Sequence, residues 1–226
     1  PGSDADTRLM LERLPGPVEG EIVDAGCGTG RQTLVLAQRL RRTVHALDNH
    51  APFLKEVERR AAAAGLGEYV RTHCMDMTDI PARFRNVGLL WSEGAAYSIG
   101  FDRALTLWRT ALRPEGMIVA SEITWLESPA PAEVRAFWDR NYPAMRDDAG
   151  NRAAAERAGF SVAGTHVLPR SAWMDYYGPL EVRLKGLLEH DDADVRALAA
   201  ENLEEIEIFR RADNSYSYVF YLLQKT

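Results

Sequence analysis

The sequence predicts an α/β protein built on a mostly parallel sheet. In the first half of the chain, short apolar segments alternate with stretches of helical periodicity, which is typical of repeated strand–helix–strand units. The apolar segments carry few polar residues, as expected of strands that are buried on both faces of a parallel sheet. The chain has 226 residues, which is enough for one such domain with its own core.

Glycine and proline delimit the elements of the first half. A Pro-Gly-Pro sequence at 15–17 ends the first helix, and Gly65 and Gly67 end the third, because neither residue type readily continues a helix. Between these breakers, apolar runs indicate strands and apolar residues every three or four positions indicate helices. The predicted order is helix 5–14, strand 21–25, helix 31–41, strand 43–47, helix 53–64, strand 69–74, strand 87–91, helix 100–112 and strand 117–122.

The second half of the chain is less regular. Its predicted elements are a helix within 129–145 that starts near Pro131, a helix over 151–158, a strand over 160–168, a mostly helical stretch over 172–211 and a last strand over 216–223. Gly178-Pro179 and the sequence His190-Asp191-Asp192 predict two breaks in the long helical stretch. We therefore predict a single domain, 1–226, whose core (about 20–168 and 214–226) is interrupted by a helical insertion over about 170–212.

The composition excludes several classes of function. The formal net charge is −6, and an acidic surface repels the phosphate backbone, so no nucleic acid partner is expected. No apolar run approaches the roughly 20 residues that span a bilayer, and no signal peptide is visible. The two cysteines and five scattered histidines form neither a disulfide framework nor a metal-binding pattern. We expect a reduced, cytoplasmic protein that holds no metal and has no membrane partner.

A glycine-rich turn follows the first predicted strand. Gly26, Gly28 and Gly30 come directly before a predicted helix. Glycine adopts positive φ easily and lets the backbone approach a ligand closely, and the start of a helix offers free N–H groups. Asp48 ends the next strand, where its carboxylate can accept hydrogen bonds from both hydroxyls of a ribose. The pattern indicates a nucleotide-binding site.

Two classes of cofactor fit such a turn. The dinucleotide fingerprint needs a third small residue, and counting from Gly26 that position is Arg31, whose long charged side chain does not suit close packing of helix on strand. An NAD-dependent oxidoreductase is therefore the less favoured alternative. S-adenosylmethionine has no pyrophosphate and does not need that geometry. Asp24 can favour its cationic end, directly or through water.

The segment Asp24-Ala25-Gly26-Cys27-Gly28-Thr29-Gly30 resembles the first motif of class I S-adenosylmethionine-dependent methyltransferases. Within that family, residues 91–95 and 131–139 resemble bacterial methyltransferase-domain proteins of the small-molecule type. The resemblance covers about residues 20–124. It implies a Rossmann-like, mostly parallel seven-stranded sheet of order 3-2-1-4-5-7-6, with the last strand antiparallel, helices on both faces and a helical insertion between the last two strands. The residues that it assigns to the cofactor are Asp24, Gly26, Cys27, Gly28, Gly30, Asp48, Asn49, Asp76, Met77, Ser92 and Glu93.

Within that resemblance the roles differ. Asp48 takes the ribose-binding position, and Asp76-Met77 takes the position that contacts adenine, with the carboxylate accepting from the amino group and the methionine packing on the ring. Trp91-Ser92-Glu93-Gly94-Ala95 stands where the family lines the methionine end of the cofactor and the substrate.

Substrate residues are expected at the carboxyl ends of the fourth and fifth strands. Methyl transfer from a sulfonium depends mainly on positioning, and it needs a base only if the nucleophile arrives protonated. We predict Glu93 and Tyr97 as catalytic residues and Glu122 and Trp125 as substrate-binding residues. Structural alternatives stay open for all four: a cofactor or backbone contact for Glu93, a turn or helix-cap carboxylate for Glu122, and packing for the two aromatic residues.

Aromatic and acidic residues near a sulfonium favour an amine or another cationic acceptor, because aromatic faces attract cations. The helical insertion carries Trp173 and Tyr176, which we predict to bind substrate if the insertion covers the site. The insertion is alternatively a dimer face, which would make the protein a homodimer, or a peripheral packing addition. The sequence thus predicts a methyltransferase acting on a small molecule with S-adenosylmethionine. A non-catalytic protein that binds this cofactor is a further alternative.

Overall fold

A central sheet carries helices on both of its faces in the computed structural model, which describes residues 1–126 and 130–226. Its seven long strands, β1–β7, span Glu21–Ala25, Val44–Asp48, Val70–Cys74, Val87–Ser92, Leu112–Trp125, Phe160–Val167 and Tyr216–Lys225. They lie in the order β3-β2-β1-β4-β5-β7-β6. Strand β7 is antiparallel to both of its neighbours, β5 and β6. The predicted strand order and the antiparallel last strand are confirmed. A two-residue strand, Arg146–Asp147, also pairs with β5.

Helices α1–α9 span Asp4–Glu12, Arg31–Leu40, Ala51–Ala63, Ile80–Arg83, Phe101–Arg109, Ala132–Asn141, Asp148–Arg157, Arg170–Leu187 and Ala193–Arg211. Short 3₁₀ turns at Gly67–Tyr69, Met77–Asp79 and Ala96–Ile99 connect strands to helices. The segment in which we predict α6 begins at Pro129, which lies outside the described residues. Among the residues that the structure describes, no helix has the length and apolarity needed to cross a membrane.

The predicted break at Gly178-Pro179 is wrong, because α8 continues through Pro179 without interruption. A proline inside a helix removes one backbone hydrogen bond. Here the helix packs on the core on both sides of that position, through the buried side chains of Trp173, Tyr177 and Leu184. The predicted break at 190–192 is confirmed, since Asp192 caps α9 and its carboxylate accepts from the amide of Asp194 at 2.9 Å.

Strand β5 is longer than the predicted 117–122. Its second half pairs with β7 from Met117 opposite Gln224 to Trp125 opposite Tyr216. The turn signal Arg113-Pro114-Glu115-Gly116, which we predict to end the preceding helix, lies inside β5 instead. The strand therefore extends as far as the partner strand extends, and a local sequence pattern cannot encode that.

The apolar faces of the sheet are covered by different helices. One face packs against α1, α2, α3, α6, α8 and α9, and its core includes Met10, Leu36 and Phe209. The other face packs against α4, α5 and α7. Helices α8 and α9 connect β6 to β7, and their buried side chains pack in the first of these cores. The buried side chains of α8 and α9 thus belong to the same hydrophobic core as those of α2 and α3.

Candidate active site

The chain turns sharply between β1 and α2. Gly26, Gly28 and Gly30 have φ angles of +73°, +54° and +82°, which glycine adopts without strain. The amides of Gly26 and Cys27 both donate to the carbonyl oxygen of Leu47, at 2.9 and 2.8 Å. These bonds fasten the turn to the end of β2. The turn thereby lies where β1 separates β2 from β4, the point at which parallel α/β sheets bind ligands.

Two adjoining cavities lie at the carboxyl ends of the strands. The smaller has a volume of about 310 Å³ and is lined by residues that follow β2, β3 and β4. The larger has a volume of about 770 Å³ and extends from the glycine turn to α8 and α9. Gly26, Gly94 and Tyr97 line both of them. A ligand that extends through both cavities would pass these three residues.

Two carboxylates are held in fixed positions at the smaller cavity. Asp48 accepts from the amide of Gly28 through one oxygen and from the amide of His50 through the other, each at 2.9 Å. Asp76 accepts from the hydroxyl and the amide of Thr78 at 2.6 and 2.8 Å, and these bonds lower its pKa. Asp76 therefore stays ionised at neutral pH. The pair can accept hydrogen bonds from hydroxyl and amino groups of a ligand.

Glu93 lies at the wall of the larger cavity, and both of its oxygens are engaged. One oxygen accepts from the indole of Trp91 and from the hydroxyl of Thr7, each at 2.7 Å. The other forms an ion pair with Arg31. The Glu93 side chain is only 3% exposed. Helix α1 is thus joined to the first turn of α2 and to the end of β4 through one carboxylate.

Aromatic side chains make up much of the remaining wall of the larger cavity. The rings belong to Phe53, Tyr97, Trp138, Trp173, Tyr176, Tyr177 and Tyr218. Trp173 stacks between Phe209 and Tyr218, with ring centroids 4.8 and 5.1 Å away, and its indole donates to the hydroxyl of Ser217 at 2.8 Å. This part of the wall is consequently rigid.

Most of the residues that the sequence predicts for the site line one cavity or the other. Those at the smaller cavity are Gly26, Asp48, Asn49, Asp76, Met77 and Tyr97. Those at the larger cavity are Gly26, Cys27, Gly28, Glu93, Tyr97, Trp173 and Tyr176. The turns that follow successive parallel strands meet at one edge of the sheet, which is why residues distant in sequence come together here.

Five predicted site residues lie outside the lining of both cavities: Asp24, Gly30, Ser92, Glu122 and Trp125. Gly30 faces α3, where a β-carbon would lie 2.8 Å from a methyl group of Val57. Ser92 is fully buried in β4. The extension of β5 carries Trp125 away from the cavities, and Trp125 packs on Tyr216 and under the guanidinium of Arg135.

Glu122 lies inside β5, so it is neither in a turn nor at a helix cap. It is 2% exposed, and it accepts from the hydroxyl of Tyr142 at 2.6 Å. Burial raises its pKa to about 7. The ring of Tyr142 makes an edge contact with Tyr97, at 6.1 Å between centroids. Glu122 therefore helps to fix the position of Tyr97 indirectly, through its hydrogen bond to Tyr142 and the contact between the two tyrosine rings.

Asp24 is fully buried beneath the glycine turn. Its carboxylate accepts from the hydroxyl of Thr33 at 2.6 Å and from the side-chain amide of Gln32 at 3.3 Å. These bonds join β1 to the first turn of α2. Burial raises its pKa to about 7, although both hydrogen bonds act in the opposite direction. The carboxyl group thus changes charge close to physiological pH.

An Asp24→Asn variant should remove one pH-dependent term from the stability of the protein. Aspartate in an unfolded chain titrates near about 4, so raising its pKa in the fold stabilises the fold most at low pH. That stabilisation is lost as pH rises from about 4 to about 7, by up to about 1.4 kcal/mol per unit. We expect the variant to gain stability relative to wild type over this range in urea titrations. Asp139→Asn, at an exposed position of α6, is the control. Equal pH slopes for wild type and Asp24→Asn would contradict the raised pKa.

Several residues that line the larger cavity are not among the site residues that the sequence predicts. They are Gln32, Phe53, Trp138, Asp175, Tyr177, Asn202, Glu205 and Tyr218. For Tyr218 a signal exists, since it alternates with Tyr216 and Phe220 on one face of the last strand. Glu205 gives no such signal, because it lies in a glutamate-rich helix beside Glu204 and Glu207.

Comparison with known proteins agrees with this geometry. A family model described as a methyltransferase domain matches residues 22–116. Residues 22–116 are therefore similar to a methyltransferase domain. The matched segment runs from β1 into β5 and so contains the glycine turn and both carboxylates of the smaller cavity. The class I resemblance that the sequence carries is confirmed.

The individual relatives that this chain matches are distant. An uncharacterised methyltransferase of Bacillus subtilis, YodH, is 25% identical over 139 residues, which cover 62% of this chain and 58% of the relative. A magnesium-protoporphyrin O-methyltransferase of Rhodobacter capsulatus is 34% identical over 138 residues, covering 61% of this chain and 58% of the relative. The chain spans about half the length of the curated relatives it matches.

The fold is shared with a solved structure over almost the whole chain. A crystal structure of a SAM-dependent methyltransferase from Thiobacillus denitrificans, in complex with S-adenosyl-L-homocysteine, superposes with a TM-score of 0.81. It covers 98% of this chain and 91% of that chain, at 18% sequence identity. The agreement includes the part of the chain beyond residue 116, so α8 and α9 belong to a known architecture.

Proposed function

We propose that the protein is a methyltransferase that uses S-adenosylmethionine to methylate a small-molecule nucleophile. The observation that carries the proposal is the pairing of a nucleoside-sized cavity, bounded by two fixed carboxylates, with a larger aromatic cavity that shares three wall residues with it. A β-carbon built on Gly28 meets no atom of the described residues within 4 Å, so the turn leaves open space above its backbone. The residues present therefore fit this cofactor.

Each part of the smaller cavity suits one part of the cofactor. Asp48 would hold the ribose hydroxyls, Asp76 the amino group of adenine, and Met77 would pack on the base. The N–H groups at the start of α2 and the backbone of Cys27 and Gly28 would face the amino-acid end. When bound, S-adenosylmethionine supplies an electrophilic methyl group on a sulfonium. The methyl group would have to be directed toward the larger cavity.

The contribution of this chain to the reaction is mainly positioning, which can supply several kcal/mol in a reaction between two bound molecules. Tyr97 lies where the cavities adjoin, so we propose that its hydroxyl contacts the acceptor there. Burial and the charge of Glu205 raise the pKa of Tyr97, which keeps the hydroxyl protonated. Glu93 already accepts from Trp91, Thr7 and Arg31, so we propose that it orders the wall and does not accept a proton from the acceptor.

An amine is the acceptor class that the larger cavity favours. It would bind as its cation and release one proton to solvent, which frees the lone pair that attacks the methyl group. Its wall combines several aromatic faces with the carboxylates of Asp175 and Glu205, and both kinds of group attract cations. The alternative oxidoreductase reading is disfavoured by Arg31, which begins α2 and pairs with Glu93 where a dinucleotide site needs a small residue.

Isothermal titration with S-adenosylmethionine, S-adenosylhomocysteine and NAD tests the proposal. We expect the first two to bind with micromolar affinity and NAD not to bind. Asp48→Asn should weaken binding of S-adenosylhomocysteine at least about 10-fold, or about 1.4 kcal/mol, because it removes the charge and one acceptor. Asp79→Asn, an exposed nearby substitution, should leave binding unchanged. Heat from NAD alone would refute the assignment. Cofactor binding without formation of S-adenosylhomocysteine from any amine would favour the non-catalytic alternative.

A further inference from the structure

One carboxylate of the helical pair, Glu205 on α9, is fixed at the wall of the larger cavity. Its Oε1 atom accepts from the hydroxyl of Tyr177 on α8 at 2.6 Å. The Tyr177 side chain is 1% exposed, and its ring packs against Phe209 with centroids 5.2 Å apart. The donor is therefore immobile, and it holds one carboxylate oxygen while the other has no hydrogen-bond partner among residues 1–126 and 130–226.

The charges around the cavity do not balance. Among the residues that the structure describes, four charged side chains line it, namely Arg31, Glu93, Asp175 and Glu205. Arg31 is the cation of this set, and it is paired with Glu93. The amine of Pro1 also lines the cavity, and burial lowers its pKa to about 6, so that it is mostly uncharged at neutral pH. Within the described part of the chain, no lysine, arginine or histidine forms an ion pair with Asp175 or Glu205. Asp175 is exposed and its charge is screened by solvent, whereas Glu205 is half-buried and acts over a longer range.

Neutral aromatic side chains line the same cavity as the Glu205 carboxylate. Trp173 is clamped between two rings and Tyr177 is buried, while Tyr176 is 48% exposed at the rim of the cavity. Burial, and after it the negative charge of Glu205, raises the pKa of Tyr176 and of Tyr97. Both phenols thus remain uncharged, and no phenolate competes with Glu205 for a cation.

We propose that Glu205 determines the substrate specificity of the protein by binding the cationic nitrogen of an alkylamine. Tyr177 is its positioning residue, and the rings of Trp173 and Tyr176 contact the alkyl groups on that nitrogen. The inference rests on the proposed methyltransferase function, and it places the selection of the acceptor in the helices between β6 and β7. A carboxylate beside aromatic faces distinguishes a cation from a neutral molecule of the same shape.

Two isosteric probes test this inference. N,N-dimethylethanolamine is cationic at neutral pH, and 3-methylbutan-1-ol has the same shape without the charge. We expect wild-type protein saturated with S-adenosylhomocysteine to bind the amine at least 10-fold more tightly than the alcohol in calorimetric or NMR titrations. Glu205→Gln should remove this preference while leaving affinity for the alcohol and for S-adenosylhomocysteine unchanged. Tyr177→Phe should reduce the amine-to-alcohol ratio by a smaller factor.

Glu204→Gln is the matched control, since Glu204 is the adjacent residue and pairs with Arg140 on the outside of the helix. It should retain the full preference for the amine. Equal affinity of wild type for the two probes, absence of amine binding, or equal weakening of both probes in Glu205→Gln would overturn the inference. The titrations are repeated without S-adenosylhomocysteine. If the wild-type protein did not bind S-adenosylhomocysteine but still preferred the amine to the alcohol, the proposed function would be contradicted and the role of Glu205 would not.

Discussion

A Gly28→Ala variant should fold like the wild type and lose most of its affinity for S-adenosylmethionine. The φ angle of Gly28 is +54°, which costs an alanine about 1 kcal/mol. Its β-carbon would touch no atom of residues 1–126 and 130–226 within 4 Å, and it would stand in the larger cavity, above the backbone that a ligand has to approach. We expect binding in calorimetry to weaken at least about 30-fold, which corresponds to about 2 kcal/mol.

Gly65→Ala is the control for this substitution. Gly65 follows α3, has a φ angle of +66°, and its β-carbon likewise meets nothing within 4 Å in the part of the chain that the structure describes. The two variants should therefore lose similar free energies of unfolding, and only Gly28→Ala should lose cofactor affinity. If Gly28→Ala bound S-adenosylhomocysteine as tightly as wild type, the turn would not be the cofactor site.

The largest loss of stability is expected from Gly88→Ala. Gly88 lies in β4, and a β-carbon there would be 1.5 Å from the carbonyl oxygen and 2.7 Å from the carbonyl carbon of Glu19. Both atoms are backbone, so a side-chain rotation cannot relieve the clash. Strand β4 lies between β1 and β5 in the middle of the sheet. We expect a loss of at least about 4 kcal/mol in denaturant titrations, or loss of soluble protein.

Gly164→Ala in β6 provides the comparison. A β-carbon at Gly164 meets none of the described atoms within 4 Å, so the free energy of unfolding should change by less than about 0.5 kcal/mol. If the free energy of unfolding of Gly88→Ala were within about 1 kcal/mol of the wild-type value, the backbone of the segment before β1 would be able to move aside at little cost.

The sequence predicts the first half of this fold well because its signals there are local. The bounds of β1 agree with the prediction, since the glycine turn ends the strand sharply, and Asp48 follows from the same reasoning at the end of β2. The extension of β5 depends on β7, which is far away in sequence. The continuity of α8 through Pro179 depends on the packing of buried aromatic side chains.

The candidate site divides along the same line. Its nucleoside half is built from turns that directly follow strands, so a motif can point to Gly26 or Asp76. The other half comes from α8 and α9, where only the rotation of each helix about its axis decides which side chain faces inward. Glu204 and Glu205 are identical in type and adjacent in sequence, and they face opposite surroundings.

The position of β7 between β5 and β6 also bears on how the chain is made. Residues 112–125 have one flank next to β4, but the other flank gains its partner only after Tyr216 and its successors leave the ribosome. Until then, a long strand edge, most of whose side chains are buried in the finished fold, can pair with any other strand. A nascent chain that ends between residues 130 and 210 should therefore aggregate more readily than shorter or longer ones. At this stage of synthesis a chaperone would have to cover the exposed edge of β5.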